Sequence, residues 1–420
     1  MLQKDGPALR FLMVAGANVA AAGAGLALFS LMARSQGPAD LGHMALAMSF
    51  LVYGLILSNF GTDSIAIRAV SQDLAAAPKM VGSVMAFRLA NNMLILAGGA
   101  MLVWHFRGSP TSGLMMILAG SLMIGAIAPA WLAPATERSD VLGIYNFASP
   151  MATLLFAAAL LFAEWPQGIY AFAAARVAGD LVAALGLMRW ASAAIGRIAK
   201  PQLVDVVQLA RSAMPIGLSR LASGLGQAAD LLIVSAMLSD VQTGIYAAAL
   251  RVYLLIMSMS LLFSGVIFPA FARAALDGNG RVKCLLLSSV KRSFPLAVAA
   301  ALAIALLAPY LLRIIFGPQF AGADTILRLL CIAGVFNFVA VVIGTALLAV
   351  GQFHIFMRNT LISTAILIAG KIVLTAKFGM TGAAVATSVA EAAMMILQWR
   401  SLVNICGVQP QPTEPNLHDG

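Results

Sequence analysis

Charged residues are scarce in this chain, and their scarcity excludes a soluble fold. Asp, Glu, Lys and Arg make up 10% of the 420 residues, whereas 61% are hydrophobic and the mean hydropathy is +0.94. A soluble domain carries about a quarter charged residues and needs them to cover its surface. The chain is therefore predicted to lie in a lipid bilayer.

Cysteine is also rare, which argues against a disulfide framework and against a thiolate metal centre. Cys284, Cys331 and Cys406 lie far apart in the sequence and form no C-x-x-C pair. We interpret them as small hydrophobic residues buried among helices. Neither a metal site nor a cofactor is predicted.

The sequence has no phosphate-binding loop of the form G-x-x-x-x-G-K-[ST]. The nearest Gly-Lys pair is Gly370-Lys371, which falls within a predicted membrane span. The chain alone is therefore not expected to hydrolyse ATP. Transport would have to be driven by an ion gradient or by consumption of the product.

The chain does contain a nearly continuous series of apolar runs separated by short loops. A helix needs about 20 mainly apolar residues to cross about 30 Å of hydrocarbon, and the sequence divides into about twelve such segments. The predicted helices cover residues 8–33, 43–62, 80–104, 113–135, 142–163, 168–190, 206–238, 243–272, 292–316, 324–350, 354–376 and 379–404.

The distribution of basic residues predicts the orientation of these helices. Cytoplasmic loops retain Lys and Arg during insertion, and most of the 26 Lys and Arg fall on one side if the N-terminus is inside the cell. Both termini are therefore predicted to be cytoplasmic. The net charge of +10 is explained by this topology and by anionic lipid, so nucleic acid is not an expected partner.

A short internal repeat indicates two halves of like orientation. Residues 42–48 resemble residues 244–250, and about six predicted spans separate the copies, so the halves would be related by an axis along the membrane normal. The expected fold is all-α, with two six-helix bundles related by pseudo-two-fold symmetry around a central cavity. The N-terminal lobe would cover 1–198 and the C-terminal lobe 199–406, followed by a disordered cytoplasmic tail over 407–420.

Several segments resemble Wzx-type polysaccharide flippases, in the order in which that family carries them. In the first half they are GPADLG at 37–42 and NFGT at 59–62. In the second half they are MPIGL at 214–218, ADLLI at 229–233, GIYAAALR at 244–251, FPAFAR at 268–273, FGPQF at 316–320, LLAVG at 347–351 and FGMTGAAVAT at 378–387. The order and spacing of these short segments make the resemblance specific.

The resemblance implies a transporter of the multidrug, oligosaccharidyl-lipid and polysaccharide exporter superfamily, and not an enzyme. Such a protein would flip undecaprenyl-diphosphate-linked oligosaccharide repeat units from the cytoplasmic to the periplasmic leaflet of the bacterial inner membrane, by alternating access. The units would serve synthesis of O-antigen, capsule or exopolysaccharide. The implied partners are this cargo and the bilayer, with a polysaccharide polymerase and glycosyltransferases as further candidates.

Other functions stay open on the sequence. A multidrug or cation antiporter of the same superfamily would share the architecture, but we would expect its cavity to be smaller and more acidic or aromatic. A membrane-embedded polymerase or ligase would resemble its class in carrying a large extracytoplasmic loop, and no predicted outer loop here is long. A scaffold of an export complex is the third alternative.

Ionisable residues within the predicted spans are the candidate functional residues, because a charge in hydrocarbon is costly and usually faces a protein interior or a cavity. Cations outnumber anions among them, and guanidinium groups match phosphate oxygens with paired donors. The residues predicted to bind the cargo are Arg251, Arg220, Arg88, Arg176, Gln227, Asn18 and Asn337.

Structural roles compete with these binding roles. Arg220 and Arg88 could instead extend to the membrane surface. Arg176 and Asp180 are four residues apart, a spacing that suits an ion pair on one helix.

Asp230 and Asp63 are the candidate ion-coupling residues. A carboxylate that is removed from water can exchange protons near neutral pH. Both could equally be permanently paired anions, and Arg251 on the following helix is one candidate partner of Asp230.

Overall fold

The computed structural model describes residues 7–105, 109–163 and 168–407, and over these residues the protein is all-α, as predicted. Nine helices in this part of the chain are long and apolar enough to cross a membrane, so the protein is a multi-pass membrane protein. The helices are α1 Pro7–Gln36, α2 Pro38–Asn59, α3 Thr62–Gln72, α4 Ala77–His105, α5 Pro110–Ile127, α6 Leu132–Ala135, α7 Ser139–Phe162, α8 Ile169–Ile195, α9 Leu203–Met237, α10 Asp240–Leu276, α11 Asn279–Ile315, α12 Ala323–Ala349 and α13 Phe353–Gly407.

Long helices occupy the predicted positions, but several of their bounds differ, and α11 begins at Asn279 where a start at 292 was predicted. The predicted helices 354–376 and 379–404 are both present within α13, where they meet at a kink: Gly379 has a non-helical backbone, with φ +60° and ψ −140°. The predicted helix 113–135 is divided into α5 and α6 around Pro129. The predicted helix 43–62 ends at Asn59. The total of about twelve membrane spans stays a prediction, and residues 408–420 of the predicted tail lie outside the described residues.

The end of α2 shows why that helix stops early. Phe60 and Gly61 both adopt left-handed backbone conformations, with φ of +40° and +82°. A left-handed residue ends a helix because it turns the next carbonyl away from the helix axis. The chain therefore turns at once into the short helix α3, which places Asp63 in its first turn.

The starts of the helices follow local sequence signals. Proline begins α2 and α5. The first backbone N–H of a helix has no acceptor within the helix, so a residue without an N–H is tolerated there. At α10, the Ser239 hydroxyl accepts a hydrogen bond from the Gln242 N–H, and the Gln242 side chain accepts one from the Ser239 N–H, both at 3.3 Å. This reciprocal capping fixes the start of α10 and hence the positions of the residues that follow it.

The first and second halves of the sequence meet along α2, which packs against both α9 and α10. The largest buried apolar cluster contains residues of both halves, among them Phe29 and Leu41 from the first and Tyr246 and Phe316 from the second. The division into lobes at 198 and 199 stays a prediction, as does the symmetry between them.

The two copies of the predicted repeat touch where α2 crosses α10. A Cβ atom at Gly244 would lie 1.8 Å from the carbonyl oxygen of Pro38, and one at Gly42 would lie 2.2 Å from the carbonyl oxygen of Asp240. The contact is reciprocal, since each glycine faces the carbonyl four residues before the other. Only glycine allows two helices to approach with their backbones this close.

The cysteines differ from one another in their surroundings. Cys331 is buried, as predicted, but Cys284 is exposed on α11, so its predicted burial is wrong. The side chain of Cys406 lies outside the part of the chain that the structure describes.

Candidate functional site

Arg251 lies on α10 where this helix faces α1, and its guanidinium stacks on an aromatic ring. Its Cζ atom is 3.6 Å from the centroid of the Phe29 ring, a cation–π contact that fixes the side chain. The run Ala247 to Ala249 just before it is buried, and these small side chains allow α10 to pack closely against its neighbours. Among the described residues, Arg251 has neither a hydrogen-bond partner nor a carboxylate partner. Its N–H donors are therefore available to an anion.

Arg176 on α8 adds a second positive charge that acts on Arg251. Its Nε donates to Asp180 at 2.9 Å, so the ion pair expected from the spacing is present. Ser149 on α7 donates to the other oxygen of Asp180 at 2.5 Å. The Arg176 side chain is still 30% exposed, which leaves part of the guanidinium accessible beside its carboxylate.

Arg88 on α4 is buried and does not extend to the membrane surface. Its Nε and Nη2 donate to the Thr62 hydroxyl at 3.1 and 2.9 Å, and Nη2 also forms an ion pair with Asp63. The Asn59 side chain donates a further hydrogen bond to Asp63. These contacts link α4 to the start of α3. The charges of Arg88 and Asp63 balance each other.

Arg220 is exposed on α9, and its Nη2 donates to the Ser64 hydroxyl at 3.1 Å. This bond joins the second half of the chain to α3 of the first half. The side chains of Gln227 and Asn18 lie outside what the structure describes.

Asp230 on α9 is paired with Lys371 of α13, and the expected pairing with Arg251 is wrong. Tyr246 on α10 completes the cluster, since its hydroxyl donates to Asp230 at 2.9 Å and accepts from the Lys371 ammonium at 2.8 Å. Lys371 is fully buried. The sequence analysis missed this partner because the orientation argument counted basic residues by loops, although Lys371 falls inside the predicted span 354–376.

Asn337 on α12 binds an acidic residue that the sequence analysis also missed. Its Nδ2 donates to Glu391 of α13 at 3.1 Å, and the Tyr253 hydroxyl of α10 donates to the same carboxylate at 3.5 Å. Glu391 falls inside the predicted span 379–404, so its position in an apolar run was the available signal.

The structure thus distributes the predicted residues over three places. Arg251 and Arg176 lie together, Arg88, Asp63 and Arg220 surround α3, and Asp230 and Asn337 lie within the helices of the second half. Their roles in binding or coupling stay predictions. No group of His, Cys, Asp and Glu suited to a metal ion occurs over the described ranges.

An apolar cavity of about 620 Å³ lies between α2, α4 and α5. Small residues such as Gly98 and Gly99 leave space along α4, while Leu57, Leu94 and Met116 supply apolar walls. Leu94 and Met116 are 73% and 67% exposed, so the cavity is open at the outer surface of the helices. It suits a hydrocarbon chain, not a polar group.

Comparison with known structures shows the fold of a transporter superfamily. The protein resembles the lipid II flippase MurJ in its inward closed conformation, with a TM-score of 0.77 and 15% identity over 93% of this chain and 87% of that one. It also resembles an inward-facing multidrug resistance MATE transporter of the MOP superfamily, with a TM-score of 0.68 and 15% identity over 98% of both chains. A MOP superfamily transporter from Pyrococcus furiosus gives a TM-score of 0.66 at 12% identity, over 95% of this chain and 96% of that one.

Comparison of sequences gives a relative and a family. The probable low-salt glycan biosynthesis flippase Agl15 of Haloferax volcanii is 27% identical over 183 residues, which is 43% of this chain and 39% of that protein. The match therefore spans less than half of the relative's length. The family model described as polysaccharide biosynthesis protein matches residues 10–275, which is more than half of the chain, and the chain therefore belongs to the polysaccharide biosynthesis protein family.

Proposed function

We propose that this protein flips undecaprenyl-diphosphate-linked oligosaccharide repeat units from the cytoplasmic to the periplasmic leaflet of a bacterial inner membrane. Its lobes, 1–198 and 199–406, alternate in exposing the site between them, and both termini face the cytoplasm. The relative named as a glycan biosynthesis flippase and the flippase among the structural neighbours support this proposal.

The observation that carries the proposal is the guanidinium of Arg251, which has no hydrogen-bond or carboxylate partner among the described residues. A cation in hydrocarbon is costly, so it is retained where a ligand or a counter-charge uses it. The planar fork of donors fits two phosphate oxygens at once, and the Phe29 ring holds this fork from one face without using a donor. A diphosphate carries the negative charge and the acceptor oxygens that the described residues do not offer to Arg251.

The position of Arg251 also suits a cargo that passes between two lobes. Phe29 belongs to the first half and Arg251 to the second, so the site is made jointly. In this structure the halves touch near both ends of α2, at Gly42 with Gly244 and at Gly61 with Gly217. Alternating access then requires that one of these contacts opens while the other stays closed.

The lipid part of the cargo needs a separate path, because a polyprenyl chain is insoluble in a polar cavity. The apolar cavity between α2, α4 and α5 is open at the outer surface of the helices and provides a place for part of that chain. The sugar and diphosphate would then cross inside the protein while the tail stays at its lipid-facing side.

Lipid-linked precursors in a deletion strain test this function directly. Loss of the protein should block surface polysaccharide while repeat-unit precursors accumulate on the cytoplasmic leaflet. Accumulation on the periplasmic leaflet would contradict the proposal and indicate a polymerase or ligase. Unchanged precursors with normal surface polysaccharide would contradict any part in this pathway.

A multidrug or cation antiporter is the second candidate, since a MATE transporter shares the fold over 98% of both chains. A site built around an arginine that no described carboxylate neutralises repels cationic drugs, which disfavours this candidate. Efflux of a fluorescent cationic dye from cells that overproduce the protein separates the two. We expect no efflux above that of cells with an empty vector.

A further inference from the structure

Glu391 differs from three other acidic residues that lie at least partly buried in helices of the described chain. Asp63, Asp180 and Asp230 each pair with a cation, namely Arg88, Arg176 and Lys371. Glu391 has hydrogen bonds only from neutral donors, the Asn337 amide and the Tyr253 hydroxyl. No cation among the described residues therefore balances its charge.

Asn337 has a second feature that points to a ligand at this place. The residue is only 7% exposed, and its Oδ1 has no hydrogen-bond partner. An amide can rotate by half a turn at little cost, and the two orientations exchange donor and acceptor. Nδ2 suits an ionised carboxylate, whereas Oδ1 suits the O–H of a protonated one. The same side chain can thus serve both protonation states of Glu391.

We propose that Glu391 is a proton-binding site whose protonation drives the transport cycle. One O–H bond forms on a carboxylate oxygen, the charge of the side chain changes from negative to neutral, and the Asn337 amide turns to accept from the new donor. The use of the proton as a drive rests on the proposed function, whereas proton binding itself does not.

Few charged groups surround Glu391 in the described part of the chain. A proton is therefore the charge that we expect to neutralise its carboxylate. Tyr253 faces it from α10 and Asn337 faces it from α12. The next acidic residue that acts on Tyr253 is Asp230 of α9, which Lys371 of α13 already neutralises. Arg251, two residues from Tyr253 on α10, is held at the Phe29 ring. Glu391 is partly exposed.

A protonated carboxylic acid has a carbonyl stretching band that a carboxylate lacks, and infrared difference spectra of the full-length protein in detergent can follow it. We expect the band to grow as the pH is lowered from about 9 to about 5. The band should be absent in Glu391→Gln. It should remain in Glu137→Gln, a matched change at an exposed loop residue.

Two further variants keep the proposal testable if Glu391→Gln folds poorly. Glu391→Asp should retain a titrating band. Asn337→Leu should move the titration midpoint to higher pH by about one unit, because the carboxylate loses a donor. A band that is absent at every pH in the wild type, or present at every pH, would overturn the proposal. A band that persists in Glu391→Gln would do the same.

The coupling is tested separately in cells. At normal protein abundance, Glu391→Gln should reduce surface polysaccharide about tenfold or more, because a site that cannot lose and regain a proton cannot cycle. Full activity in this variant would overturn the coupling role. If the deletion strain shows no precursor accumulation, the proposed function fails, while the infrared titration still reports on proton binding.

Discussion

Lys371 of α13 forms an ion pair with Asp230 of α9, and the Tyr246 hydroxyl of α10 binds both. Three helices of the second half therefore share one buried polar cluster. The negative charge of Asp230 is therefore balanced by a cation that belongs to the protein itself.

Removal of Lys371 should destabilise the protein more than removal of the whole pair. Lys371→Met leaves Asp230 uncompensated, at a cost of about 3–5 kcal/mol, whereas the double variant with Asp230→Leu should recover most of this loss. Thermal unfolding in detergent measures both. The exposed Lys377 lies on the same helix, and Lys377→Met should have no effect. A Lys371→Met variant as stable as the wild type would contradict a buried ion pair.

The positive charge of Arg251 and the planar shape of its guanidinium can be tested separately. Arg251→Lys keeps the charge but loses the planar fork, and Arg251→Gln loses the charge. Loss of a charge-assisted bond costs about 1.5–3 kcal/mol, so Gln should lower flipping by about 10- to 100-fold, with Lys intermediate. Arg189→Gln, at an exposed position of α8, is the matched control.

Protein abundance decides how the Arg251 result is interpreted. Both variants should insert at normal levels, because no described carboxylate depends on this guanidinium. Flipping by Arg251→Gln at the wild-type rate would rule out a cargo role, and a loss of activity in proportion to abundance would indicate a structural role.

The contact between the repeat copies is tested by adding one methyl group. Gly244→Ala places a Cβ atom against the Pro38 carbonyl and should cost about 1–3 kcal/mol through overpacking. Gly280→Ala provides the control, since a Cβ atom there meets no atom within 4 Å. In that helix the same change should be neutral or slightly stabilising. Equal melting temperatures of the two variants would contradict the close approach.

Orientation is tested with reporter fusions at four loop positions. Reporters after Gly108 or Asp240 should report the periplasm, because few basic residues surround them, and those after Ala199 or Gly278 should report the cytoplasm. The inverse pattern would overturn the proposed orientation, and with it the proposed direction of flipping.

The positions of the helices could be predicted from the sequence because apolar runs and helix-ending residues are local signals. The kink at Gly379 fits the predicted boundary between 354–376 and 379–404, since glycine adopts the positive φ of +60° found there without a steric penalty. The Arg176–Asp180 pair was predictable because both residues are on one helix. The partner of Asp230 was not, because Lys371 comes from a helix far along the chain.

The ring beneath Arg251 comes from the opposite half of the molecule, and this has a consequence for release of the cargo. If the proposed alternating access moves α1 and α10 apart, the guanidinium loses its aromatic support and gains water as a competitor for its donors. Its affinity for an anion then falls although its charge is unchanged. Under the proposed function, one residue would therefore hold cargo tightly at one stage of the cycle and release it at the next.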